Sequence, residues 1–173
     1  IRLAANRRIW NAWSCGHLSE LERAKVAEFA GVDAAEFVPW TEDEEVLVQR
    51  VFSEKELPIP KCSDEVDFHR TLFEKTASFA NYIFTQSLRS DFAVFRSSIH
   101  FNSTKFLSSV NFQHAKFCVL ADFGAATFYS KANYSYSEFD ESARFWSSSF
   151  LAGADFHSSI FSSGADFNDT VFK

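Results

Sequence analysis

Methionine is absent from this chain of 173 residues, proline occurs only 3 times, glycine 5 times and cysteine 3 times. Such low Gly and Pro contents exclude a collagen-like or Pro/Gly-rich linker sequence. Cys15, Cys62 and Cys118 are odd in number, far apart, and in no Cys-x-x-Cys or Cys/His ligand spacing, so neither a disulfide framework nor a zinc site is expected. Basic charge is also short: 17 Lys and Arg stand against 23 Asp and Glu, a net charge of −6. Direct nucleic-acid binding, which draws on a basic stripe, is therefore not expected. No apolar run approaches the ~20 residues that span a bilayer, and no signal peptide opens the chain. The expectation is a cytoplasmic protein without a transmembrane segment. Because the first residue is Ile1 and not Met, a preceding piece is expected to be missing.

What the chain has in excess is phenylalanine, 22 residues in a sequence that is 46% hydrophobic, which also speaks against disorder. From Phe68 onward the rings fall in steps that alternate between 5 and 6 residues up to Phe172. Of 20 such slots 18 are Phe, Tyr134 fills one, and Ser90 leaves one vacant. Two residues before most slots sits a small or β-branched side chain, as in Ala121-Asp122-Phe123 and Ala154-Asp155-Phe156, with Tyr82 and Leu88 as bulkier exceptions. A helix repeats every 3.6 residues and a strand every 2. Short inward pairs at this longer spacing describe a chain that turns a corner after each pair, a coiled solenoid.

Residues 66–173, with units such as Ala121-Asp122-Phe123-Gly124-Ala125-Ala126-Thr127-Phe128, resemble the pentapeptide-repeat family in its variant with an 11-residue period. The resemblance implies a mainly β protein, a right-handed quadrilateral β-helix with four faces per coil. Here two 11-residue units make a coil of 22 residues, and the slots make about five coils. Each face would then stack one column of rings. Phe73, Phe95, Phe117 and Phe139 belong to the second column, Phe123 and Phe145 to the third, and Phe128 to the fourth, and these seven are the expected structural core.

The first 60 residues follow a different grammar, and residues 61–65 read as the linker into the first coil at residue 66. Ser19 with Glu22 forms a capping-box signal, and Gly31 ends that run. Asp33 to Glu36 signals a short helix ending before Pro39, and Thr41 to Glu44 opens another whose apolar face carries Leu47, Val48, Val51 and Phe52. An earlier helix around Ile9 to Trp13 has no clear cap. The expectation is a small α-helical N-terminal cap over the open end of the solenoid, with a separate docking region as the rival. Trp10, Trp13 and Trp40 are expected as packing anchors.

Catalytic, cofactor and metal residues are expected to be none. The five histidines lack a ligand-pair spacing, the Asp residues before the rings read as solvated repeat positions, and the serines lack any Gly-x-Ser-x-Gly context. Read modulo 22, two outward stripes remain. Leu107, Tyr129 and Leu151 follow the fourth column; Phe92, His114 and Tyr136 lie two residues past the first, although Phe92 is also placed to fold inward over Ser90. Both stripes are candidate protein contacts, and self-stacking that stiffens the corner is the alternative. The expected function is a non-catalytic scaffold or accessory subunit that contacts another protein subunit or a second copy of itself. Characterised relatives of the resembled family mimic DNA and bind DNA gyrase or topoisomerase IV. That alternative needs rows of carboxylates, whereas residues 66–173 carry 10 acidic and 9 basic side chains.

Overall fold

A computed structural model describes residues 3–173, with side chains from residue 7 onward. The chain forms two compact units, Ile1–Asp64 and Glu65–Lys173.

The first unit contains α1 (Leu3–Ser14), α2 (Glu20–Ala30), a 3-10 turn (Ala34–Phe37) and α3 (Glu42–Ser53). Both capping boxes form: Ser19 with Glu22 starts α2, and Thr41 with Glu44 starts α3. Gly31 closes α2 at φ 66°, a left-handed conformation in which a Cβ is strained. Asp33 accepts the backbone N–H of Ala35 and opens the 3-10 turn, short of Pro39 as its sequence signal requires. Long-range polar contacts join these pieces. Arg7 pairs with Glu36 at 2.6 Å, Arg8 pairs with Glu44, and the Trp40 indole donates to the carbonyl of Ile9 at 2.9 Å. Phe37, Ala12 and Cys15 lie buried among them.

The second unit is a β-solenoid of four parallel five-stranded sheets, each strand only two residues long. Strand partners differ by 22 residues, as in Val66 with Leu88 and Phe117 with Phe139. The alternating step of 5 and 6 residues thus sets the register directly. Each sheet is one face of the coil: face 1 begins at Val66–Asp67, face 2 at Leu72–Phe73, face 3 at Ala77–Ser78 and face 4 at Ile83–Phe84.

Rings in one column stack nearly flat, with centroids from 4.5 Å (Phe128 and Phe150) to 5.3 Å (Phe101 and Phe123). That spacing matches the ~4.8 Å between neighbouring strands, so backbone pairing and ring stacking reinforce one another. Rings of different columns meet edge to face, as Phe112 does with Phe123 at 75°. Phe95, Phe117, Phe123, Phe128, Phe139 and Phe145 are buried, as their positions predict. Phe73, in the first coil, is only half-buried. At the vacant slot Ser90 is wholly buried, but Phe92 does not fold inward over it: the Phe92 ring stays 45% exposed.

The corners explain the polar grammar. After faces 1 and 3 the chain makes a turn closed by the N–H three residues past the ring slot, such as Thr104 to the carbonyl of Phe101. The residue before each closing donor is left-handed at ten corners, with φ between 52° at Ser147 and 63° at Asn81. None of the ten is glycine. At eight of them the N–H bonds to the next coil, as Ala125 does to the carbonyl of Trp146 at 2.8 Å. The Asp or Asn before the ring is a turn builder and not merely a solvated surface residue, which corrects the sequence expectation. Asp122 accepts the N–H of Gly124 at 3.0 Å, and Asp67, Asn111, Asn133, Asp155 and Asp166 repeat the bond.

Candidate interaction surface

The outward stripe past face 1 is built by those corners. Phe92, His114 and Tyr136 have φ of 57°, 55° and 58°, a conformation that costs an L residue about 1–2 kcal/mol. Their backbone N–H groups bond to the carbonyls of Gln113, Ser135 and His157 in the following coil. Held in this way, the three side chains project from one edge and stack on each other. Phe92 lies on His114 at 4.7 Å and 13°, and His114 on Tyr136 at 5.0 Å and 14°. The Arg70 guanidinium covers one end of the stack, 5.7 Å from the Phe92 centroid. His157 meets the other end edge-on, 5.5 Å from Tyr136. Ring faces are therefore occupied within the ladder, and ring edges face outward. Phe92 and Tyr136 remain 45% and 46% exposed.

A charged cluster sits at the same corner. Asp91 is 8% exposed and receives His69 Nδ1 at 2.7 Å and Arg89 Nε at 2.9 Å. Burial opposes its ionisation, but the hydrogen bond from Arg89 and the positive charges nearby outweigh burial and hold its carboxyl below the usual range. This carboxylate anchors the side chains around the Arg70 end of the ladder.

The second predicted stripe differs from its expectation. Leu107, Tyr129 and Leu151 are half-buried, not projecting. Desolvation pushes the Tyr129 phenol above its ordinary range, and on face 4 burial lowers the Lys105 ammonium, whose Nζ donates to Thr127. The structure therefore brings Phe92, His114 and Tyr136 together as an exposed ladder and leaves Leu107, Tyr129 and Leu151 as a partly covered seam.

Other exposed apolar side chains escaped sequence reasoning. Trp146 is 41% exposed and lies across Gly124 of the preceding coil, where a Cβ would stand 2.4 Å from its indole. The signal was present, since Gly124 and Trp146 are 22 residues apart, one coil. Leu72 and Ile160 end the outward column of face 2, whose centre is the ion pair of Lys116 with Glu138 at 2.8 Å and Asp140 at 3.2 Å.

Among the described residues no three His, Cys, Asp or Glu side chains gather as metal ligands. No helix among them is long and apolar enough to cross a membrane. Comparisons with protein-family models, with curated proteins and with solved structures find no match to this chain.

Proposed function

We propose that the solenoid is a non-catalytic protein-interaction module, a rigid scaffold or accessory subunit of a larger assembly. We also propose that its 11-residue grammar places it with the pentapeptide-repeat proteins. The observation that carries the functional reading is the Phe92/His114/Tyr136 ladder. Its backbone is fixed by coil-to-coil hydrogen bonds and its rings by stacking. A partner that packs on the ring edges loses little side-chain entropy in doing so, and immobilised aromatic anchors carry much of the energy in such interfaces.

The DNA-mimic reading is weaker by the charges on the faces. Outward positions read Asp67, Arg89, Asn111, Asn133, Asp155 on face 1 and Ser78, His100, Asp122, Arg144, Asp166 on face 3. Faces 2 and 4 carry Leu72, Val94, Lys116, Glu138, Ile160 and Lys105, Thr127, Ser149, Val171, with Ile83 at the start of face 4 buried. Acids alternate with bases or neutral groups, and no column imitates a phosphate row. Cys15, Cys62 and Cys118 form no disulfide with one another, which suits a reducing, cytoplasmic compartment.

The test is co-purification from native cells of wild-type protein and of Phe92→Glu/Tyr136→Glu. Loss of a stoichiometric companion with an unchanged melting temperature supports the proposal. Stoichiometric inhibition of gyrase supercoiling by the wild type overturns it in favour of DNA mimicry.

A further inference from the structure

His114 is the middle rung of the ladder, an exposed side chain with Phe92 flat on one ring face at 4.7 Å and Tyr136 on the other at 5.0 Å. Its two nitrogens lie in the plane of the ring, so neither is aimed at these neighbours. Among the described residues the histidines paired with carboxylates are His69, on Asp91, and His100, on Asp122. His114 has no such pair, and its ring makes no hydrogen bond among those residues. The charged groups around it are engaged elsewhere. In the preceding coil Asp91 is held by His69 and Arg89, and Arg70 lies over Phe92. In its own coil Gln113 is neutral and Lys116 pairs with Glu138 and Asp140. The following coil offers Ser135 and the Tyr136 phenol, beyond which His157 meets the ladder edge-on.

We propose that the ladder is a pH-gated contact, which receives an uncharged apolar protein surface while His114 is neutral and releases it when His114 takes a proton. This rests on the ladder being the interaction site. The partner surface is uncharged because the three rungs offer it neither a carboxylate nor a permanent cation, and the charges beside them are already matched. In the free chain an imidazolium is tolerated at this rung, since its edge is hydrated and the faces of Phe92 and Tyr136 attract a cation. A partner that packs on the ring edges removes that water, and a buried charge without a carboxylate is costly. Histidine is the side-chain type whose charge changes between about pH 5 and 8, which sets the range of the gate. Because the partner favours the uncharged form, its affinity falls with falling pH, by up to about tenfold per pH unit.

The experiment takes the protein that the native full chain carries at about pH 8, purified, as the probe and measures its affinity for the chain down to about pH 5.5. Wild-type affinity is expected to fall by about fivefold or more between about pH 7.5 and 5.5. The deciding variant is His114→Phe. Phe92 already carries a phenyl ring at a corner of the same conformation, φ 57° against 55° for His114, so the variant keeps fold and stack. It should match the wild type at about pH 7.5 and lose less than about twofold by pH 5.5. Wild-type affinity that is level across this range overturns the proposal, as does one that rises in acid, the response of a partner carboxylate facing His114. His114→Phe with the full wild-type loss also overturns it, because the proton then belongs to another group such as His157. A chain that carries no companion at about pH 8 overturns the interaction reading itself, and this proposal with it.

Discussion

The ring of Phe123 lies flat on that of Phe145, their centroids 5.1 Å apart and their planes inclined by 2°. Both rings are wholly buried in the middle of the solenoid. Phe123→Ala removes stacking on both sides and leaves a cavity, so a loss of about 3–5 kcal/mol is expected in urea melts. Asp122→Ala removes the turn bond to Gly124 and the longer contact with His100 Nδ1 at 3.9 Å, and should cost about 1 kcal/mol. Equal losses for the two would mean that inward and outward positions have been exchanged.

Tyr134 brings a phenol into this core, wholly buried and with its hydroxyl unpartnered among the described residues. Tyr134→Phe is therefore expected to raise stability by about 1–3 kcal/mol. Burial also pushes the phenol well above its ordinary value of 10.0. As pH rises past about 10, the unfolded chain loses this proton while the folded chain keeps it, so stability falls by up to ~1.4 kcal/mol per pH unit. Melts between about pH 8 and 11.5 should show a steeper decline in wild type than in Tyr134→Phe.

Gly124 and Trp146 should be coupled. A methyl group at position 124 would meet the indole at 2.4 Å, and the exposed indole can swing away only by giving up its contact with the coil. Gly124→Ala is expected to cost about 1–3 kcal/mol and to alter Trp146 fluorescence. In Gly124→Ala/Trp146→Ala the clash is gone. A double-mutant cycle should give a coupling of about 1 kcal/mol, and purely additive losses would count against the contact.

Arg8 holds the Glu44 carboxyl down at about 2, from an ordinary 4.5, through its hydrogen bond and against burial. A folded pKa below the unfolded one means that this stabilisation is complete above pH 4.5 and lost as pH falls through 4.5 toward 2. Solvent screening at the partly exposed pair keeps it near 1 kcal/mol. Acid titration of helical circular dichroism should show Arg8→Gln lacking that component.

Much of the fold was legible because the period carries it: a ring every five or six residues fixes register, columns and core without help from long-range detail. Ser19, Thr41 and Gly31 are local signals: Ser19 and Thr41 start helices through their side chains, and Gly31 ends one through its left-handed backbone. What escaped depends on relations between coils. The role of Asp122 comes from a corner whose left-handed residue is Ala125, a type that gives no hint of positive φ. Phe92 stays outside because His114 offers its ring a stacking partner there, a choice that the vacancy at Ser90 could not settle.

The most direct test of the interaction-module account is the assembly state of the native protein at cellular concentration, measured by size-exclusion chromatography with light scattering on wild type and Phe92→Glu/Tyr136→Glu. The account predicts a discrete complex for wild type and a free chain of unchanged melting temperature for the double variant. A wild-type chain that is already monomeric and partner-free, or a complex that survives the substitutions intact, would contradict it.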